Sequence, residues 1–332
     1  MKEFLARVTA GERLSEDEAG RAMAVIMDGQ ATPAQIGGLL AALAVRGESL
    51  DEVVGFARTM RDRAVPLRSE GALDTCGTGG DGAGTFNIST LASLVAAACG
   101  VPVAKHGNRS ASGRCGSADV LEALGVRIDA HAETVQRCLD ETGWTFLFAP
   151  SFHAATRHAV GPRRELGVRT AFNLLGPLTN PARPAAQLVG VPRPELAELM
   201  AAALQRLGIR RGWVVHGTGL DEVSLCGETR VTAFADGRSE QLQVTPEDAG
   251  LVRAELEALS CEGPAEGAAI AREVLGGKAG PKRDAVVLNA AAALTAAGKA
   301  YDVRDGAARA AQAIDEGEAA ALLDRVRGVL GS

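Results

Sequence analysis

The stretch from Asp74 to Thr90, DTCGTGGDGAGTFNIST, carries the residue types of an anion cradle. Five of the eight positions from Gly77 to Gly84 are glycine: Gly77, Gly79, Gly80, Gly82 and Gly84. Glycine accepts positive φ and lets the backbone come close to a ligand. Successive N–H groups then form an anion-binding hollow, and a helix that follows adds the positive end of its dipole. One or two glycines would read as an ordinary turn. Five, interleaved with Asp81, Thr85, Asn87, Ser89 and Thr90, favour a phosphate or pyrophosphate site. This is neither familiar nucleotide loop. A P-loop needs GxxxxGK[ST], and no Lys-Ser or Lys-Thr pair follows here. Gly77, Gly79 and Gly82 fit GxGxxG by spacing, but that fingerprint opens a helix directly. Here the helix is expected only after Asn87-Ile88-Ser89-Thr90.

Two further constellations have ionic chemistry. Lys105 to Gly116, KHGNRSASGRCG, follows the apolar run VPVA and precedes a helical pattern from Ser117. It reads as a loop at the carboxyl end of a strand, where α/β sheets collect ligands. Lys105, Arg109 and Arg114 stand among Gly107, Asn108, Ser110 and Ser112, which suits a second phosphate better than a plain solvated basic loop. His106 is read as orienting a neighbour or ligand rather than as an acid or base. His216 to Ser224, HGTGLDEVS, places Asp221 and Glu222 side by side at a strand end. A lone acidic pair is usually an exposed turn. Mg²⁺, however, needs only one or two carboxylates when substrate phosphates complete its shell, and beside two phosphate loops that reading is preferred. No His/Cys cluster suggests zinc. Finally, Phe152 to Pro181 carries His153, His158, Arg163, Arg164 and Arg169 ahead of FNLLGPLTNP. An apolar slot with a fixed arginine would suit an aromatic carboxylate. Helix–loop packing with arginines paired to Glu165 and other acids fits the residues slightly better, and both readings stay open.

The elements that must position these residues fall in two groups. Residues 1–66 read as all helix. Capping boxes stand at Ser15/Glu18, Thr32/Gln35 and Ser49/Glu52, with Pro33 at a first helical position. Ile36, Leu39, Leu40 and Leu43 repeat at helical spacing. From about Leu73 short apolar runs alternate with helices: Val101 to Ala104, Trp144 to Phe148, Leu188 to Val191, Trp213 to Val215. That alternation predicts an α/β fold with a mostly parallel sheet wound with helices. Residues 229–245 read as a β excursion, and the tail returns to Ala-rich helices at Asp284 to Ala297 and Gly306 to Ile314. The expected organisation is a small all-helical domain (1–66) and a larger α/β domain (72–332). Residues 160–182 pack back on the first, and the ligand cleft lies between the two.

Composition bounds the function. The chain has 332 residues, 46% hydrophobic and 23% charged, as for a globular protein with a large core. Its net charge of −6 argues against non-specific binding to nucleic acid or anionic membranes, and 3% aromatics against a base-stacking platform. MKEFLARVTAGERLSEDEAG lacks the apolar core of a signal peptide, and no run of 18 apolar residues occurs, so a cytoplasmic protein is expected. The six cysteines form no CxxC pair, and most read as small buried hydrophobes. Cys76 and Cys115 fall in candidate ligand loops, but neither has a His and a carboxylate in evident support.

Taken together, GTGGDG with TFNIST, KHGNR with GSADVLEALG, RRELGVRT with FNLLGPLTNP, and GLDEVS resemble the anthranilate phosphoribosyltransferase family, in its order. The similarity extends from the helical N-terminus to KRDAVVLNAAAAL. It implies the fold shared with pyrimidine nucleoside phosphorylases, a homodimer through the helical domain, and catalysis with Mg²⁺, two ions per subunit. The substrates implied are 5-phosphoribosyl 1-pyrophosphate (PRPP) and anthranilate. By the same resemblance, Gly77, Gly80, Asp81, Thr85, Asn87, Ile88, Ser89 and Thr90 hold PRPP. Lys105, His106, Gly107, Asn108, Arg109, Ser110, Ala111, Ser112, Gly113 and Ser117 complete its site. Gly77, Asn108 and Arg163 meet anthranilate. Ser89, Asp221 and Glu222 hold the metal, with Glu222 bridging, and Lys105 joins the two acids in stabilising charge. This chain departs from the pattern at Gly113, Cys115 and Gly161-Pro162, and its HGTGLDE turn is one residue short. The alternatives are a related transferase or phosphorylase with another acceptor, or a non-catalytic nucleotide-binding or nucleic-acid-binding relative.

Overall fold

The computed structural model describes residues 1–110 and 115–331. Four helices open the chain: α1 (Lys2–Thr9), α2 (Glu16–Met27), α3 (Pro33–Arg46) and α4 (Leu50–Asp62). All three expected capping boxes form, and Pro33 stands in the first turn of α3. Each such cap is worth about 1 kcal/mol. The helix α1 has no side-chain cap, which is why it left no start signal in the sequence. Ile36, Leu39, Leu40 and Leu43 are buried, as their spacing requires.

Seven strands follow: β1 (Leu73–Gly77), β2 (Val103–Gly107), β3 (Trp144–Phe148), β4 (Ala186–Gly190), β5 (Arg211–Gly217), β6 (Thr229–Ala235) and β7 (Arg238–Val244). They make one sheet in the order β3-β2-β1-β4-β5-β6-β7. The first five are parallel, and the hairpin β6–β7 is antiparallel. Parallel strands need helices on both faces. Helices Ile88–Ala98 and Pro281–Ala296 cover one face, and Leu196–Arg206 packs against β5 and β6. The register Leu73↔Ala186 to Gly77↔Gly190 brings β1 and β4 to a level finish, so their carboxyl ends form one rim. Four of the five parallel strands end on glycine, at Gly77, Gly107, Gly190 and Gly217.

The structure corrects two boundaries. The second strand does not stop at Ala104: it continues through Lys105 and His106 to Gly107, paired with Phe146, Leu147 and Phe148. Burial of these polar side chains is tolerated because each finds a partner inside. The first helix of the α/β part begins at Ile88, with Asn87 as its N-cap, rather than after Thr90. Ile88 and Leu91 are fully buried, so the apolar face draws the first turn into the core.

The first four helices share their core with later segments. Phe172, Leu174, Leu175 and Leu178 from helix Ala171–Leu178, and Met200 and Leu204 from Leu196–Arg206, join Met23, Leu39 and Phe56. Arg61 of α4 reaches across to donate to the carbonyls of Leu178, at 2.6 Å, and Leu207, at 2.9 Å.

Candidate active site

The rim of the parallel sheet gathers three carboxylates. Asp81 lies in the glycine loop after β1, and Asp221 and Glu222 lie in the turn after β5. One oxygen of each falls within 4.8 Å of the others. Glycines make this approach possible. A Cβ on Gly77 would sit 2.5 Å from Asp221 Oδ2, and one on Gly190 would sit 1.4 Å from the Asp221 carbonyl oxygen. Asp221 Oδ2 accepts from the Gly79 N–H at 2.8 Å, and the Asp221 N–H donates to Asp81 Oδ2 at 3.3 Å. The glycine loop and the acidic turn are therefore one unit.

The electrostatics of this cluster call for a cation. Burial, then the neighbouring Asp81, raises the Asp221 pKa above the usual carboxylate range. Burial, followed by Asp221 and Asp81, pushes Glu222 well up. Lys105 and a hydrogen bond from the Ser89 backbone oppose that rise. Like charges this close and this buried disfavour one another unless a cation intervenes. An all-oxygen donor set with few protein ligands suits Mg²⁺, which keeps places for water and phosphate. The residues present fit that ion. A small cavity beside them is lined by Thr75, Cys76, Ser89, Asp221, Glu222 and Asn289. Asp81 was read from the sequence as a PRPP contact only. Its place among the metal carboxylates depends on β1 and β5 flanking β4, which no local spacing reveals.

Lys105 is buried, 2% exposed, and its ammonium donates to the Thr75 carbonyl at 2.5 Å and to Ser89 Oγ at 3.3 Å. Burial lowers its pKa, while Asp74, Cys76 and Glu222 counter that. Asp74 is itself held by Asn180 Nδ2 at 2.8 Å and by the His106 N–H at 3.2 Å. His106 projects to the other face of β2. Its Nδ1 lies 3.1 Å from the Gly176 carbonyl oxygen, and its ring centroid is 5.3 Å from that of His153. Burial lowers both imidazoles, His106 to about 3 and His153 to about 4, so both rings are neutral at pH 7.

The other predicted residues divide. Asn87 accepts from the Cys115 thiol at 3.2 Å and donates to the Cys115 carbonyl at 3.1 Å, tying the two loops together. Ser117 Oγ donates to the Asn108 carbonyl at 3.2 Å, and Thr85 forms a lone bridge with Ser260. The Ile88 side chain is in the core, which leaves only its backbone for a ligand. Arg109 is engaged by Asp119 and Glu122, each at 2.9 Å, and the Ser110 N–H donates to Asp119 Oδ2 at 3.2 Å. Ala111, Ser112, Gly113 and Arg114 lie outside the described residues. Arg163 stands on helix Arg157–Leu166, which absorbs Pro162 in its interior. Its guanidinium carbon stacks 4.9 Å from the Phe172 ring centroid. Among the described residues no carboxylate lies within ion-pair distance of it. Burial pushes the Cys115 thiol up to about 12 and Cys76 well above its ordinary value, which removes both as thiolate nucleophiles.

A two-part architecture with carboxylates and glycines at the sheet rim defines a class that the comparisons identify. The family models "Glycosyl transferase family, helical bundle domain" and "Glycosyl transferase family, a/b domain" match residues 2–64 and 69–320. The anthranilate phosphoribosyltransferase of Moorella thermoacetica is 56% identical over 97% of this chain and 96% of its own length. The crystal structure of that enzyme from Thermus thermophilus superposes with a TM-score of 0.94 at 51% identity, covering 98% of this chain and 99% of the other. The Saccharomyces cerevisiae enzyme, in complex with PRPP and Mg, superposes at 0.91 with 28% identity, covering 99% and 97%. The chain belongs to the anthranilate phosphoribosyltransferase family.

Proposed function

We propose that the protein transfers the phosphoribosyl group of PRPP to the amine of anthranilate, giving N-(5-phosphoribosyl)anthranilate and pyrophosphate, the second step of tryptophan synthesis from chorismate. The observation that carries this is the Asp81–Asp221–Glu222 cluster, set against the glycine loop and buried Lys105. Ser89, Asp221 and Glu222, with Asp81, would hold Mg²⁺. Three carboxylates suffice for two ions when diphosphate oxygens complete the shells. When bound, Mg²⁺ neutralises negative charge developing on the departing diphosphate.

The chain's own residues do the rest. The glycine loop at Gly80 to Gly82 and the first turn of helix Ile88–Ala98 would face the diphosphate, while the Gly79 and Ala83 N–H groups hold Asp221 and Asp81, and Lys105 adds a fixed positive charge in a dry setting. On the far face of β2, Arg163 offers a guanidinium already stacked on Phe172 to the acceptor's carboxylate. An aromatic amine is unprotonated at neutral pH, so no strong general base is required, and the neutral His106 and His153 agree with that. Holding the amine against the sugar C1 supplies much of the acceleration.

We also propose that residues 1–66 and 72–332 act as two units around this cleft, with residues 160–182 belonging to the helical side, as the shared core supports. Val45 on α3 is 91% exposed, an apolar position that a homodimer through the helical unit would cover. Among the described residues no helix is long and apolar enough to cross a membrane, and we place the protein in the cytoplasm. The test is loss of anthranilate fluorescence on incubation with PRPP and Mg²⁺. Glu222→Gln is expected to cut turnover by about 100-fold or more in a folded protein. Wild-type turnover of Glu222→Gln at limiting Mg²⁺, or no fluorescence loss with the native protein, would overturn the reading.

A further inference from the structure

The link between helices Arg157–Leu166 and Ala171–Leu178 carries an arginine that the site described so far does not use. Arg169 Nη1 donates to the Gly79 carbonyl at 2.6 Å, while the Gly79 N–H donates to Asp221 Oδ2 at 2.8 Å. One glycine is thus held from both sides, by a guanidinium on the helical side and by a metal carboxylate on the sheet side. Its neighbour Gly80 has φ +86°, and a Cβ there would fall 1.8 Å from Arg169 Nη1, so the guanidinium fills the space a side chain would take. Arg169 Nη2 is buried and has no hydrogen-bond partner among the described residues. Thr78 Oγ1 and Thr170 Oγ1, from the residues beside Gly79 and Arg169, are buried and unpartnered too. Leaving buried polar atoms unpaired is costly, and three at one junction mark a place for an oxygen-rich ligand. Arg169 is half-buried, and Arg193, Asp221 and Asp81 lie within electrostatic reach of it.

We propose that Arg169 both positions the glycine loop and binds the sugar donor: Nη1 clamps Gly79 so that its N–H orients Asp221, and Nη2 takes a phosphoryl oxygen of the diphosphate. The inference rests on the phosphoribosyl-transfer reading and deepens it. The donor is chosen over the acceptor because Arg169 lies against Gly79 and Gly80, while Arg163 remains for the acceptor's carboxylate. Filling the donor pocket therefore tightens the link between glycine loop and helical side, which couples the two halves of the cleft.

The test varies both substrates and Mg²⁺ in Arg169→Ala and Arg169→Lys, with calorimetric binding of magnesium pyrophosphate alongside. In Arg169→Ala the PRPP KM and the half-saturating Mg²⁺ rise about ten-fold or more, the anthranilate KM holds within about two-fold, and the unliganded melting temperature stays close to wild type. Arg169→Lys recovers part of the loss, because one ammonium cannot serve the Gly79 carbonyl and a phosphoryl oxygen with the fork of a guanidinium. A lower melting temperature with unchanged PRPP KM and Mg²⁺ requirement overturns the proposal, as does an effect confined to the anthranilate KM. If Arg169→Ala does not fold, Arg169→Lys decides alone, and wild-type donor kinetics there refute it. If the native protein shows no transfer, the reaction itself is misread. Pyrophosphate binding then still separates Arg169→Lys from wild type, and equal affinities overturn the role of Arg169.

Discussion

Replacing Gly77 by alanine asks whether Asp221 acts through where its carboxylate stands. Gly77 ends β1 and its φ is not left-handed, so alanine does not strain the backbone. The new Cβ would lie 2.5 Å from Asp221 Oδ2, where ordinary contact begins at 3.4 Å. The oxygen must withdraw by about 0.9 Å, which takes the 2.8 Å bond from Gly79 beyond hydrogen-bonding range. A bond of this charged kind contributes about 1.5–3 kcal/mol. Displacing a catalytic ligand by about 1 Å can separately cost about 100-fold in rate, or about 2.7 kcal/mol of activation free energy. We expect kcat/KM for PRPP at subsaturating Mg²⁺ to fall about 100-fold, with the melting temperature lowered by roughly 10 °C or less in a protein that still folds. Gly190→Ala is the contrast. Its Cβ would meet the Asp221 backbone oxygen at 1.4 Å, and no rotamer relieves that, so stability falls with activity. A folded Gly77→Ala protein with native kcat/KM and native Mg²⁺ dependence would show that the position of the Asp221 carboxylate does not matter.

Arg163→Ala is expected to raise the anthranilate KM about ten-fold and leave the PRPP KM alone; the reverse pattern in steady-state kinetics would mean the two pockets are exchanged. Acid stability should follow the histidine pair. Both folded values, about 3 for His106 and about 4 for His153, lie below the unfolded value of about 6.5. The unfolded chain thus binds more protons across that window, and stability is full above about pH 6.5 and falls as pH drops toward 3. At pH 5 each ring costs about 2 kcal/mol. Denaturant melts at pH 7 and pH 5 on the native and the His106→Gln, His153→Gln proteins check this: the raised Asp221 and Glu222 contribute with the opposite sign in both, so the difference between the two proteins reads the rings, and no difference would refute their role.

What was legible in the sequence was what local chemistry determines. Ser15, Thr32 and Ser49 announced their helices because a capping box is complete within four residues. Trp144 to Phe148 read as a strand because both faces are buried and every residue can be apolar. Lys105 was placed in a loop because its charge masks a strand whose register is set by β3. Arg109 read as a phosphate ligand because its partners Asp119 and Glu122 lie a loop and a helix turn away. Asp81 meeting Asp221, and Arg169 meeting Gly79, span 140 and 90 residues and depend on strand order. Glycine alone gave a hint: Gly77 and Gly80 stand where another element passes too close for a side chain.

The alternation of β2 explains how one short strand would serve both proposed substrate pockets. Successive side chains in a strand point to opposite faces. Lys105 accordingly reaches Thr75 and Ser89 on the helix-N-terminal side, beside Glu222, where a diphosphate would sit. His106, one residue on, reaches Gly176 and His153 beside the helix whose Phe172 carries Arg163. The proposed PRPP role of His106 then belongs to its backbone, and its ring belongs with the acceptor. The sheet itself keeps the cation of the donor side apart from the neutral rings of the other. A cationic residue at position 106 would lose its hydration on burial and face the charges of Arg61 and Lys105, which disfavour protonation there. A one-residue slip of β2 would exchange the two side chains and place an imidazole where the diphosphate needs an ammonium. The Asp74 bonds to the His106 N–H and to Asn180 hold that register from the neighbouring strand.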